Sequence, residues 1–420
     1  MPGVTAAQQT KSLSLDDLFS LGMENSLRLD ASKIQETIAE ERIKDAKTGR
    51  LPDIRIGGTA GYMGQPVIFQ KGLTEAVRPE SPDWLHNYNL NIVQPLYQGG
   101  KIRYNIEHAV LQRRIAALST TDNEAEIKMI LLRQYLDLFS LYKQKEVFTR
   151  NIEEAERRLA DIRRMKIEGV VTRNDEIRSE LELTNFRLSF RETEDGIAIV
   201  SQQLDILLGL DESLLLLPDS TLLSAAYRIT DYDSYVKQSY DNYPGLNIAR
   251  QSTAIAKNDI KITKAAYIPS LSVQGSNTLA RPISRTMDDM FANNWNVVLS
   301  LSFNLSSLYQ NRHKMQEARQ HVMLGVNKEQ QIMQQLRINV RSAYIRHNEA
   351  LDRVQSLILA VSQAEENYRI VKNRYMNQLS ILTDLLDAIS IRLQVELQLT
   401  VARTETIYTY YELQRACGNL

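Results

Sequence analysis

The chain has 420 residues, and its 50 Lys and Arg almost balance 51 Asp and Glu, leaving a formal charge of -1. That balance argues against a polyanion partner, because nucleic-acid surfaces need a clear basic excess. No stretch approaches the ~20 consecutive apolar residues of a spanning helix, which excludes a helical integral membrane protein but leaves a membrane barrel open.

The chain opens on a polar arm, 1–14, with no apolar signal core between Met1 and Thr10, so a leader has been removed or never existed. A short helix is expected from Leu15 to Glu24 and a second from Leu27 to Thr48, stopping before Gly49 and Pro52. The period then changes. Ile54, Ile56, Gly58, Ala60 and Tyr62 alternate with Asp53, Arg55, Gly57 and Thr59, which is strand patterning over about 52–63. Residues 64–86 carry Pro66, Pro79 and Pro82 and read as a loop, and a second strand is expected over about 87–97.

From Gly100 the helical period returns to about Glu168, a helix on the order of 100 Å at ~1.5 Å per residue. Gly169 breaks it, Thr172 is placed to cap a returning helix with Asp175 three residues on, and that helix runs to Gly209. The Leu-rich stretch Leu214 to Leu217, followed by Pro218, falls in a linker, 211–231.

The rest repeats this plan. With an offset of 217, Asn25 falls on Asn242, Leu29 on Leu246, Lys44 on Lys261 and Pro52 on Pro269. With an offset of 209, Tyr135 falls on Tyr344, Ala155 on Ala364, Asp175 on Asp384 and Gly209 on Gly418. The chain is one unit written twice, 15–210 and 232–420, with helical hairpins at 100–209 and 310–418. Strands of the second unit are expected over about 269–279 and 294–305, each with one apolar face and one Ser/Asn/Gln face.

In the second hairpin, Leu336, Val340, Ala343, Ala350, Val354, Leu357, Val361, Ala364, Tyr368, Val371 and Tyr375 alternate in steps of four and three across His347. A repeat of 3.5 held this long marks a coiled-coil seam. It stops at Met376-Asn377-Gln378, where Ser380 or Thr383 can cap the returning helix, which carries Asp384 and Asp387 near the tip.

Four strands are too few to close a membrane barrel, for which about eight is the smallest number, and an open sheet in lipid leaves unpaired edges. The chain is therefore expected to oligomerise, three copies supplying twelve strands. Tyr62, Tyr88 and Trp295 fit an interfacial aromatic belt, or ordinary sheet packing.

Asn25-Ser26-Leu27, Tyr243-Pro244-Gly245-Leu246, the Leu51-Pro52 and Ile268-Pro269 strand starts, Pro95 to Gly100 and Asp384-Leu385-Leu386-Asp387-Ala388, in this order and duplicated, resemble the TolC-like outer membrane efflux protein family. The resemblance implies a mainly α fold with a transmembrane β-barrel contribution. It also implies a homotrimeric exit duct in the Gram-negative outer membrane, with a helical tunnel in the periplasm. The implied partners are a periplasmic adaptor (membrane fusion) protein, an inner-membrane pump of RND, ABC or MFS type, and outer membrane lipid. No cofactor and no enzymatic activity are implied.

Within that resemblance Asp384 and Asp387 match acidic rings that narrow a periplasmic gate, although Asp at a helix N-terminus also simply favours the dipole and cap. Tyr375 matches a gate tyrosine, with Asp175 as an acceptor, and it also continues the seam. Two departures from the family pattern are Gln378, where the tip usually has Gly, and Ser380, where some members have Arg. His86, His108, His313, His321 and His347 are scattered and read as solvated or interfacial residues rather than ligands. The alternative class is a soluble coiled-coil structural scaffold whose four strands form a cap.

Overall fold

The computed structural model describes residues 10–219, 227, 229–282 and 288–420. Residues 1–9 of the arm, and 220–226 and 228 of the linker, lie outside the described residues. The duplicated order is visible in the elements. α1 (Leu15–Asn25), α2 (Leu27–Thr48), β2 (Asp53–Tyr62), β5 (Trp84–Gln98), α3 (Lys101–Ile167) and α4 (Arg173–Leu208) are echoed by α5 (Tyr232–Asn242), α6 (Pro244–Ala265), β7 (Ser270–Arg281), β8 (Ala292–Ser302), α7 (Ser307–Met376) and α8 (Leu382–Ala416). Two compact units draw matching pieces from both halves of the chain.

One unit comprises the described residues of Met1–Lys33, Leu118–Asn247 and Gln330–Leu420. Its helices start and stop for local reasons. Ser14 caps α1 in a capping box, Asp17 N donating to Ser14 Oγ at 3.1 Å, and Asp231 caps α5. Gly209, in the left-handed region at φ 66°, ends α4 by donating its amide to Asp205 O and Ile206 O.

The polar arm and the linker, expected to be irregular, contribute a short parallel pair here: β1 (Thr10–Leu13) against β6 (Leu215–Pro218). Leu13 and Leu216 are fully buried with Leu131, Leu138, Leu204 and Leu208. Tyr135 locks the pair, its hydroxyl donating to Leu13 O at 2.7 Å and accepting from Asp219 N at 2.9 Å. Burial pushes this phenol up to about 12.

The seam positions Leu336, Val340, Ala343, Ala350, Ala364 and Tyr375 are all buried. His347, read from sequence as solvated or interfacial, is instead fully buried on that seam. Its Nε2 lies 3.0 Å from Tyr227 O and its Nδ1 3.0 Å from Thr409 Oγ1, so both ring nitrogens are satisfied. Burial lowers its pKa, keeping the ring neutral.

The other unit comprises Ile34–Ala117 and Ile248–Glu329 and holds one antiparallel sheet in the order β2-β5-β7-β8. Its strands have 10, 15, 12 and 11 residues, against the roughly 9–11 that cross a bilayer when tilted. The loop predicted at 64–86 contains a small hairpin, β3 (Ile68–Lys71) with β4 (Thr74–Val77).

At the turn from β5 into α3, Gly99 and Gly100 have φ of 62° and 86°. A Cβ on Gly99 would stand 2.7 Å from the backbone oxygen of Ala265, so only glycine lets the chain pass there. Below the turn, Asn258 is fully buried and donates to Tyr104 O at 2.7 Å. His108 pairs with Asp259 at 3.2 Å rather than standing in solvent alone.

Candidate pore face and hairpin tips

The sheet register sorts the side chains onto two faces. Ile56, Leu90, Asn277 and Trp295 stand abreast across the four strands, and two residues along so do Ile54, Ile92, Gly275 and Val297. Continuing by twos brings Tyr88 with Leu279, and then the terminal pair Tyr62 and Trp84, onto that same face. All three residues read from sequence as a belt therefore share the apolar face. Tyr62 meets Trp84 edge-on at 5.6 Å, and Trp84 is an aromatic neighbour that the sequence reading missed.

The opposite face carries Arg55, Asn91, Ser276 and Asn296 in one row and Gly57, Asn89, Thr278 and Asn294 in another. Its charged pair, Asp53 and Arg55, is bonded internally at 2.6 Å. The rest is mostly amide and hydroxyl surface, with Val93 and Val298 in the row of Asp53 and Gln274. The apolar face is not covered by the chain: on β8, Trp295, Val297, Leu299 and Leu301 are 74%, 66%, 67% and 73% exposed.

The tips belong to the other unit, and their turns are built alike. At the first, Gly169 has φ 78° and Val170 N donates to Met165 O at 2.8 Å. At the second, Gln378 has φ 61° and Leu379 N donates to Arg374 O at 2.8 Å. This is the closure that leaves one residue in the left-handed region, the place where a Cβ costs roughly 1–2 kcal/mol. Replacing Gln378 by Gly is therefore expected to stabilise the chain by roughly 0.5–1 kcal/mol after the added freedom of the unfolded state. Thermal unfolding of the purified chain reads this as a higher midpoint, and an unchanged or lower one contradicts the assignment.

The helix starts differ in a way that bears on the acidic residues. Thr172 caps α4 with a full capping box, in which Asp175 Oδ2 accepts from Thr172 N at 2.8 Å and from Thr172 Oγ1 at 2.7 Å. The α8 start corrects the sequence expectation. Its cap is Ile381, which has no side-chain oxygen, and neither Ser380 nor Thr383 takes that role. Thr383 Oγ1 instead accepts from Arg178 Nη1 at 2.9 Å, tying α8 to α4. Asp384 and Asp387 stand exposed on the outer side of α8, while Leu382, Leu385 and Ile389 are buried on the other. Asp175 is thus occupied by its cap, whereas neither Asp384 nor Asp387 has a hydrogen bond or ion pair among the described residues.

Tyr375 is buried with Ala155, Leu159, Ile162, Phe186 and Leu385, and its hydroxyl has no hydrogen-bond partner. Within the chain it makes no bond to Asp175. Two arrangements beside it were not legible from sequence. Arg392, half-stacked 4.1 Å over Tyr368, donates to Glu154 at 2.7 Å and to Asn151 at 3.1 Å. Glu176 collects Lys166 at 2.6 Å and Arg173, which together hold its carboxyl down at about 2. Only the Glu176–Arg173 spacing carried a local signal, three residues along one helix.

A sheet with one greasy and one amide-rich face, joined by sequence to long hairpins, is the fold of solved outer-membrane channels. The chain carries that fold over its whole length. It aligns with CusC, in structures concerned with folding and transmembrane channel formation, at a TM-score of 0.82 and 14% identity, over 100% of this chain and 95% of that one. It aligns with the outer membrane protein VceC of Vibrio cholerae at 0.77 and 15%, over 96% of each chain. With the open-state MtrE outer membrane channel of Neisseria gonorrhoeae the values are 0.75 and 15%, over 96% and 88%. No curated protein matches the sequence.

In sequence, residues 235–419 match the model of the outer membrane efflux protein family. The duplication carries the same plan back over the first half, and the resemblance to TolC-like efflux proteins holds. The matched family model and the aligned structures are those of outer membrane efflux proteins and channels, not of enzymes.

Proposed function

We infer that three copies of this chain join their sheets edge to edge into a twelve-stranded barrel in the outer membrane. Their helices extend from it as a tunnel into the periplasm. The observation that carries this reading is the uncovered apolar face of β2, β5, β7 and β8, set back to back with a polar face whose one charged pair, Asp53 and Arg55, is internally bonded, on a sheet whose edges β2 and β8 are unpaired among the described residues. Lipid covers the first face and water fills the lumen against the second.

The duct is passive. Cargo reaches it from a periplasmic adaptor and an inner-membrane pump of RND, ABC or MFS type, through a mouth lined by Asp384 and Asp387. Three copies bring six carboxylates around one axis, focusing a negative potential there. Tyr375, its hydroxyl unpartnered within one chain, is placed to bond across to a neighbouring hairpin, with Asp175 as one acceptor. A soluble coiled-coil scaffold is the competing reading, and a cap built from these strands would have to hide the apolar face that stands open here. Purified protein added to a planar bilayer is expected to give discrete single-channel currents. Silence from folded, oligomeric protein overturns the duct.

A further inference from the structure

A cavity of about 190 Å³ opens between α3, α7 and α8 near the tips, many times the ~10–15 Å³ that one water needs. Its walls combine apolar surface from Ile162, Met376 and Leu385 with polar groups from Arg158, Lys372 and Tyr375. Two of those groups, Tyr375 and Arg158, each hold a buried donor atom with no partner among the described residues. Tyr375 is 6% exposed and its hydroxyl has no partner. Arg158 is 10% exposed on its side chain, and although its Nη2 donates to Glu182, its Nε is buried with no partner. Lys372 lies 5.6 Å over the Tyr368 ring and has no ion pair among the described residues.

The two carboxylates in the wall are already matched: Glu154 by Arg392 and Tyr368, Asp161 by Arg164. A buried donor left without an acceptor costs ~1–3 kcal/mol, so the Tyr375 hydroxyl and Arg158 Nε in one cavity, with the exposed Lys372 at its mouth, call for acceptor oxygens from outside the chain. Burial and then the Asp175 charge push the Tyr375 hydroxyl up while the Arg158 guanidinium pulls it down, and Arg158 and Tyr375 line the same cavity.

We propose that this cavity binds a small organic carboxylate, whose oxygens accept from Tyr375 and Arg158 and pair with Lys372 while its apolar body lies on Ile162, Met376 and Leu385. The arrangement is charge-assisted at one end and greasy at the other, the usual chemistry of a small-molecule site. A bound carboxylate takes the Tyr375 hydroxyl in place of an acceptor on a neighbouring hairpin, and binding is read without conduction, so its failure is told apart from failure of the duct.

The probe is sodium benzoate, titrated calorimetrically into the full chain in detergent. Saturation at one per chain is expected, with at least fivefold weaker binding in Tyr375→Phe and in Lys372→Met and no change in Asp352→Asn, an exposed position further along α7. Lys372 is solvent-facing enough that its replacement leaves the packing intact. Benzyl alcohol tests the charge and inorganic phosphate tests the apolar body, and both are expected to bind at least fivefold more weakly. No saturable binding, binding unchanged by Lys372→Met, or equal binding of either control overturns the proposal.

Discussion

Exchanging Asp384 and Asp387 together for asparagine is expected to weaken block of the single-channel current by multivalent cations on the order of tenfold or more. What each carboxylate already bonds sets its part in the effect. Asp175, in the matching position of the first hairpin, spends its charge on the Thr172 cap. Asp384 and Asp387 have no such engagement, are exposed, and lie three residues apart on one side of α8. Threefold repetition around a water-filled axis adds their fields, and an effect worth ~1.4 kcal/mol on a bound cation is already tenfold. Asp175→Asn is expected to leave block unchanged and to lower thermal stability instead, because it removes a capping box. Block unaltered in the double variant would remove Asp384 and Asp387 from the gate and leave them as residues that favour the helix dipole.

The second large effect concerns the sheet. Trp295→Arg places a guanidinium on the apolar face, in the row of Ile56 and Leu90, where each copy would suffer a penalty of roughly 2–4 kcal/mol in lipid. Three copies act together, so the yield of assembled protein in the outer membrane is expected to fall sharply. Asn296→Arg, one residue along and on the opposite face, changes the register of nothing and points to the lumen, so it is expected to assemble normally. Normal yield from Trp295→Arg, or equal loss from both, contradicts the assignment of faces.

The contrast between these neighbours shows what the sequence made legible. Alternation over Ile54 to Tyr62 and Trp295 to Phe303, and the 3.5 period from Leu336 to Tyr375, are local signals that bear directly on faces and seams. They placed the four long strands and the eight helices within a few residues of where they stand. Duplication supplied a second copy of every signal, which is why the second strand of each half and its hairpin could be paired off by counting.

What stayed hidden depends on contacts far apart in the chain. The β1–β6 pair joins residues about two hundred positions apart through four-residue strands, too short for alternation to register, and Leu215 to Leu217 looked like linker. His347 sits at a seam position, and the period itself was the signal for its burial, but its partners Tyr227 and Thr409 come from elsewhere. Ile381 as a cap defeats any search for Ser, Thr, Asp or Asn, because Arg178 has claimed Thr383 from another helix. The donors around the tip cavity are likewise assembled from α3 and α7, and neither helix alone shows that an acceptor is missing.

The central claim is that the edges of the four-stranded sheet are satisfied by sister copies in lipid. Native mass measurement of the particle extracted from outer membranes in detergent tests this most directly. Three chains per particle, surviving dilution and lost when detergent is withdrawn, is the predicted result. A single chain that stays in solution without detergent would contradict it.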